Sequence, residues 1–196
     1  IKGKKILDLC AAPGGKTMQL VDGGAQVTAL DISENRMTLL KENLERVQLK
    51  AELIVSDILE WKNDKEFDTV LLDAPCSATG TIRRHPDLPF VKNQENLDEL
   101  INLQKQLLQR AFHFVKPGGE LIYCTCSLLF SEGEAQIEEF LLNHPTMSIV
   151  EIDFGSLGLP KEWESLGGCI RTRPDYWREL GGLDGFFISH LRKNNS

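Results

Sequence analysis

The chain has 196 residues, 41% of them hydrophobic and 26% charged, which is enough for one globular domain with a sizeable core. No apolar run approaches the roughly 20 residues of a membrane span, so no membrane is expected among its partners. The formal charge of −7 argues against a protein that coats nucleic acid over its whole surface, and leaves room for local basic clusters.

In chain order, Lys5 to Leu9 reads as a short buried strand, and Pro13-Gly14-Gly15 turns it into a helix beginning near Lys16. Gln26 to Asp31 is the second strand. Ser33 is placed to cap a helix whose apolar stripe is Met37, Leu40, Leu44 and Val47. Ala51 to Val55 is the third strand, and Phe67 to Asp73 the fourth. The fourth is nearly continuous in apolar residues, as suits a strand covered on both faces. Asn96 to Val115 carries one apolar helical face, stopped by Lys116-Pro117-Gly118-Gly119. Glu120 to Thr125 is the fifth strand, and Ser131 with Glu134 has capping-box spacing ahead of Ile137, Phe140 and Leu141. Two weaker strands follow, Met147 to Ile152 and Gly185 to Leu191, with 154–184 expected as a long loop between them. Strands alternating with helices imply right-handed crossovers. The fold class expected is α/β, a doubly wound, mostly parallel sheet of seven strands closed by a hairpin.

In such a sheet the strand C-termini share one edge, where ligands bind. The loop Cys10 to Lys16 follows the first strand there. It lacks G-x-G-x-x-G, and it matches only the second half of a triphosphate-binding loop, through Gly15-Lys16-Thr17, because Cys10 stands where the first glycine belongs. A triphosphatase and a plain turn remain open readings. The acids favour a third. Asp31 ends the second strand, where a carboxylate accepts from ribose hydroxyls. Asp57 follows the third strand, within reach of an adenine amino group, and Asp73 ends the fourth. Three such carboxylates beside a glycine loop point to an adenosine-containing ligand.

Two thiols reach the same edge, Cys76 in Asp73-Ala74-Pro75-Cys76 and Cys126 in Thr125-Cys126-Ser127. A thiol pair beside a bound group donor suits covalent attack on an electron-poor ring, since thiolate is populated near neutral pH. Cys10, Cys124 and Cys169 are expected to be packed and inert as thiols, with Cys124 and Cys126 pointing opposite ways. Five widely spread cysteines, an odd number, fit a reducing, cytoplasmic setting. No metal site is expected, because there is no C-x-x-C pair and the four histidines are isolated. The basic clusters are Arg83-Arg84-His85 and Arg171, Arg173 and Arg178.

Together, Leu7 to Thr17, Asp73 to Gly80 and Thr125-Cys126-Ser127 resemble the Sun-type RNA cytosine-5 methyltransferases. Arg83-Arg84-His85-Pro86-Asp87 and Asp184-Gly185-Phe186-Phe187 narrow the likeness to the bacterial 16S ribosomal RNA methyltransferase B group. The resemblance implies a Rossmann-like class I fold and S-adenosyl-L-methionine cradled by Cys10, Ala11, Ala12, Pro13, Gly14, Gly15 and Lys16. It implies Asp31 on the ribose, Asp57 near the adenine, and Asp73 between the donor and the target base. Cys126 would attack carbon 6 of an unpaired cytosine and Cys76 would assist release, although Pro75-Cys76 also matches the attacking pair of DNA cytosine-5 methyltransferases. Arg83, Arg84 and His85 would contact RNA. The chain starts at Ile1 and is expected to be a catalytic domain, residues 1–196, without the family's N-terminal RNA-binding region. As such it is expected to bind cofactor and methylate poorly. A non-catalytic RNA-binding domain is the remaining alternative.

Overall fold

A computed structural model describes residues 1–91 and 94–195. The first half follows the expected order: β1 (Lys5–Leu9), α1 (Gly15–Asp22), β2 (Gln26–Asp31), α2 (Glu34–Arg46), β3 (Glu52–Val55) and β4 (Phe67–Asp73). A short turn, Thr79–Thr81, leads to α3 (Leu88–Val91) and the long α4 (Gln94–His113). Then come β5 (Val115–Thr125), α5 (Glu134–Asn143), β6 (Met147–Ile149), β7 (Glu164–Ser165), β8 (Cys169–Arg171) and β9 (Phe187–Lys193).

One sheet runs β3-β2-β1-β4-β5-β9-β8-β7, and β6 also pairs with β9. Strands β1 to β5 are parallel, while β9 is antiparallel to β5, β6 and β8. The order reverses between β1 and β4, so the loops leaving these two strands diverge and open a crevice. Side-chain alternation builds a core on each face. Leu7, Leu9, Val70, Leu72, Leu121 and Tyr123 meet Leu107, Leu108 and Ala111 of α4 and Ile137 and Phe140 of α5. On the other face Ala29 packs with Met37, Leu40 and Leu44 of α2, and Ile6 and Val27 pack with Leu20 and Val21 of α1. Ser33 caps α2 as expected, accepting from the Arg36 amide at 3.4 Å. Val47 lies past the end of α2 and is exposed. Among the described residues, no helix is long and apolar enough to cross a membrane.

Three expectations are corrected. The long helix ends at His113, not Val115, because Phe114 and Val115 are drawn into the core and the Phe67 amide donates to the Phe114 carbonyl at 2.8 Å. Lys116-Pro117-Gly118-Gly119 is therefore an irregularity within β5, between the pairs Phe67–Val115 and Thr69–Glu120. There is no capping box at Ser131: α5 begins at Glu134 with Gly133 as its N-cap, and the Glu134 carboxylate is taken by Arg171 and by the Ser165 hydroxyl at 2.7 Å. The stretch 154–184 is not plain loop. It contributes β7 and β8 and buries Phe154, Trp163 and Cys169, so the seven expected strands are joined by two short ones. Strands of two and three residues are too short to carry a readable period.

Candidate functional site

The crevice between the β1 and β4 loops is a cavity of about 390 Å³ lined by Cys10, Asp31, Asp57, Asp73, Cys76 and Cys126, among others. On the α1 side of the sheet lies a second cavity of about 580 Å³, lined by Asp8, Lys16, Cys124 and Phe186. Asp73 borders both. The cavity that holds the thiols thus also holds the three strand-end carboxylates expected from the sequence.

The glycine-loop geometry follows from close packing. Gly14 has φ 102°, and a Cβ there would lie 2.7 Å from Leu40 Cγ, so α2 leaves no room for a side chain. The Ala12 amide donates to Asp31 Oδ2 at 3.2 Å and the Ser33 amide to Asp31 Oδ1 at 3.0 Å, while Arg36 braces the Ala12 carbonyl. Asp31 Oδ2 also faces Arg36 Nη1 at 3.4 Å, whereas Oδ1 keeps a lone pair for a further donor such as a ribose hydroxyl. Ile32 and Ile58 line the same cavity, and Ile32 is 66% exposed, an apolar surface suited to the flat face of a base. These residues fit an adenosine-containing cofactor. They do not fit a triphosphatase, because the Thr17 hydroxyl that would serve a metal is buried and donates to Asp8 Oδ2 at 2.6 Å.

Cys76 Sγ and Cys126 Sγ are 3.4 Å apart. The hydrogen bond received from Cys76 lowers the Cys126 thiol from its ordinary value, whereas donating that bond, together with burial, raises Cys76. Of the two thiols, Cys126 is thereby the easier to ionise. Burial pushes Cys10 up to about 12 and raises Cys124 and Cys169 as well, so these three stay protonated and unreactive at neutral pH. Cys124 and Cys126 do line different cavities, but strand alternation is not the reason, since residues two apart share a face. β5 ends at Thr125, and the chain turns Cys126 into the crevice. Cys124 instead donates to Asp73 Oδ1 at 3.4 Å, and Lys16 Nζ donates to Asp73 Oδ2 at 2.8 Å.

The Cys76 and Cys126 loops touch through backbone. The Gly80 amide donates to the Cys126 carbonyl at 2.9 Å, and the Gly185 amide donates to the Gly80 carbonyl at 2.8 Å. Arg84 clamps the same junction with Nε and Nη2 on Asp184, and Arg83 lies 3.7 Å from that carboxylate. The basic cluster expected to meet RNA thus ties the 79–86 segment to the start of β9; its guanidinium groups and His85 remain largely exposed. Arg171 is mostly buried and paired with Glu134, and Arg173 pairs with Asp175.

Sequence reading missed Glu132, which is completely buried and accepts from Ser77, Ser127 and Gln104. A glutamate flanked by Ser131 and Gly133, with Glu134 two residues on, reads as a solvated turn residue and carries no local signal for this. Asp8, beneath the glycine loop, was also passed over. Burial, reinforced by Asp73 and Asp31, pushes its carboxyl up to about 7 against the pull of Thr17 and Lys16, and Oδ1 has no partner. A folded-state value above the unfolded one of 3.8 means the unfolded chain loses this proton first, so stability falls as pH rises from about 4 to about 7. Asp8→Asn is expected to remove that slope, gaining on the wild type by about 3 kcal/mol at pH 7.5 relative to pH 4.5 in urea unfolding. Parallel pH curves for the two proteins would refute the assignment.

A family model described as "16S rRNA methyltransferase RsmB/F" matches residues 2–192. Ribosomal RNA small subunit methyltransferase B of Yersinia pseudotuberculosis is 46% identical over 154 residues, covering 76% of this chain and 36% of that protein. The chain spans about a third of the length of the curated relatives it matches. The crystal structure of PH0851 superposes with a TM-score of 0.86 at 33% identity, over 98% of this chain and 43% of that one. NSun6 from Pyrococcus horikoshii, solved with SFG, gives 0.81 at 27% identity over 98% and 48%. With a family match across almost its whole length and a sheet, crevice and thiol pair that its motifs predicted, the chain belongs to the 16S rRNA methyltransferase RsmB/F family.

Proposed function

We propose that the chain is the catalytic domain of an S-adenosyl-L-methionine-dependent RNA methyltransferase that modifies carbon 5 of a cytosine in small-subunit ribosomal RNA. The observation that carries this reading is the thiol pair, 3.4 Å apart, in one cavity with Asp31, Asp57 and Asp73. When bound, the cofactor supplies an electrophilic methyl group. Asp31, Asp57 and the Cys10–Lys16 loop are the residues that would hold it, Asp31 through the ribose and Asp57 through the base.

Carbon 5 of cytosine is too weak a nucleophile to take a methyl group unaided. The Cys126 thiolate adds to carbon 6, forming an S–C6 bond and leaving an enamine whose carbon 5 is nucleophilic. After transfer, a base takes the carbon 5 proton and the S–C6 bond breaks, returning the thiolate. Once Cys126 is bonded to carbon 6, Cys76 no longer shares its proton with a thiolate; it gives that proton to solvent and serves as the base that releases the product. Asp73, at the border of the two cavities and paired with Lys16, is placed to orient the exocyclic amino group. The base must leave its stack to expose carbon 6, which selects unpaired RNA. Arg83, Arg84 and His85, on the exposed segment that follows Cys76, are the RNA contacts in this reading, and five free thiols fit a reducing cytoplasm.

S-adenosylhomocysteine is expected to bind this chain in calorimetry without magnesium, whereas ATP is not. Ribosomal RNA made without the full-length protein should lack one or more 5-methylcytosines found in its presence. Magnesium-dependent ATP binding, or an unchanged 5-methylcytosine map, would defeat the reading.

A further inference from the structure

Two neighbouring loops must be held in fixed register if one thiol is to share its proton with another. Cys76 leaves β4 and Cys126 leaves β5, and each is followed by a serine, Ser77 and Ser127. Both serines converge on Glu132, in the turn after the Cys126 loop. Glu132 Oε1 accepts from the Ser77 amide at 2.8 Å and from Gln104 Nε2 at 2.9 Å. Glu132 Oε2 accepts from both the Ser77 and the Ser127 hydroxyls at 2.5 Å. Gln104 Nε2 also donates to the Pro75 carbonyl at 2.8 Å, so Cys76 is held from both sides. The Glu132 carbonyl in turn accepts from the Tyr123 hydroxyl at 2.9 Å, anchoring the turn to β5.

A buried carboxylate is costly unless its lone pairs are filled, and here neutral donors from both thiol loops fill them. A core position that needed only packing would be served by an apolar residue of similar size. Three of these four hydrogen bonds come from the residues next to the thiols, and this makes the location informative.

We propose that Glu132 is a positioning residue for the thiol pair: its carboxylate ties Ser77 to Ser127 and thereby sets the Cys76–Cys126 separation. Its negative charge adds to the asymmetry by raising Cys76, which keeps the donor proton there. A chemical role for the pair rests on the function proposed above, but the positioning is measurable without RNA or cofactor.

The test is competitive alkylation of the free chain with iodoacetamide at pH 7, with each cysteine read by peptide mass spectrometry. In the wild type, Cys126 should react well ahead of Cys76, because thiolate is the reactive form. Glu132→Gln keeps the shape and removes the charge, and its Cys126-to-Cys76 rate ratio should fall by about tenfold or more. Cys124 and Cys169 should stay unreactive in a folded variant. Should Glu132→Gln not fold, Ser127→Ala decides, with an expected fall of about threefold. An unchanged ratio in folded Glu132→Gln, or in Ser127→Ala where only that variant folds, overturns the proposal. A fallen ratio in a protein that never methylates RNA would retain the positioning role and remove the function. Methylation by the wild type with an unmoved ratio would do the reverse.

Discussion

Cys126→Ala is expected to abolish methyl transfer, by about 10⁴-fold or more, while leaving S-adenosylhomocysteine binding intact. Losing the nucleophile of a covalent mechanism removes the route itself, so the loss is of this order. Cofactor affinity should survive because Asp31 ends β2 and Asp57 follows β3, and neither bonds to Cys126. Cys76→Ala should behave differently: addition and methyl transfer proceed, release stalls, and a protein–RNA adduct accumulates that survives denaturing electrophoresis. The structure supplies the physical reason for the asymmetry. Two thiols in hydrogen-bond contact cannot both ionise easily, and the contact with Cys76 makes Cys126 the easier of the two to ionise. Burial adds to the proton's hold on Cys76. The sequence motifs alone left either thiol open as the attacker, since Pro75-Cys76 matches one precedent and Cys126 the other. Recovering the adduct from Cys126→Ala instead of Cys76→Ala would exchange the two roles.

Gly80→Ala should be the most damaging of the glycine substitutions in the site loops. An added Cβ would stand 1.9 Å from the Gly185 carbonyl oxygen and 2.8 Å from that of Cys126, and both neighbours are backbone. Relieving the contact means pulling the Cys76 loop away from β9 and from the Cys126 loop at once. That breaks the Gly80–Cys126 and Gly185–Gly80 hydrogen bonds and strains the Arg84–Asp184 clamp. Overpacking of this kind costs about 3 kcal/mol or more. Gly15→Ala is the matched control: nothing lies within 4 Å of its Cβ position, and it opens α1, where alanine is the better helix former by about 1 kcal/mol. Urea unfolding of both variants tests the contrast. A Gly80→Ala midpoint equal to that of the wild type would show that the three loops do not meet as described.

Several features were legible without coordinates. β1, β2 and β4 are apolar runs long enough to read as buried strands, and the spacing of Met37, Leu40 and Leu44 sets one face of α2. Ser33 caps where its side chain and position require. The ends of those strands carry Cys10, Asp31 and Asp73, so parallel pairing alone gathers them at one edge. Contiguous motifs are legible because the residues that act together are also neighbours in the chain.

What was not legible depends on partners far apart in sequence. Ser131 and Glu134 have the spacing of a cap, yet Arg171, 37 residues on, claims the glutamate through a mostly buried ion pair. Arg84 reads as a free cation until Asp184, 100 residues away, closes on it. Residues 154–184 lack a period because their strands are too short to show one, and their order comes from pairing with β9 and burial of Trp163 and Cys169.

By itself the amino-acid order determined the α/β class, the succession of strands, and which motifs arrive at the crevice, because periodicity and turn residues act locally. Only the tertiary structure decided that the two thiols meet, that Cys126 enters a different cavity from Cys124, and that Glu132 joins the two loops. Those outcomes depend on burial and on distances of about 3 Å between segments about 50 residues apart, which short-range patterns do not encode.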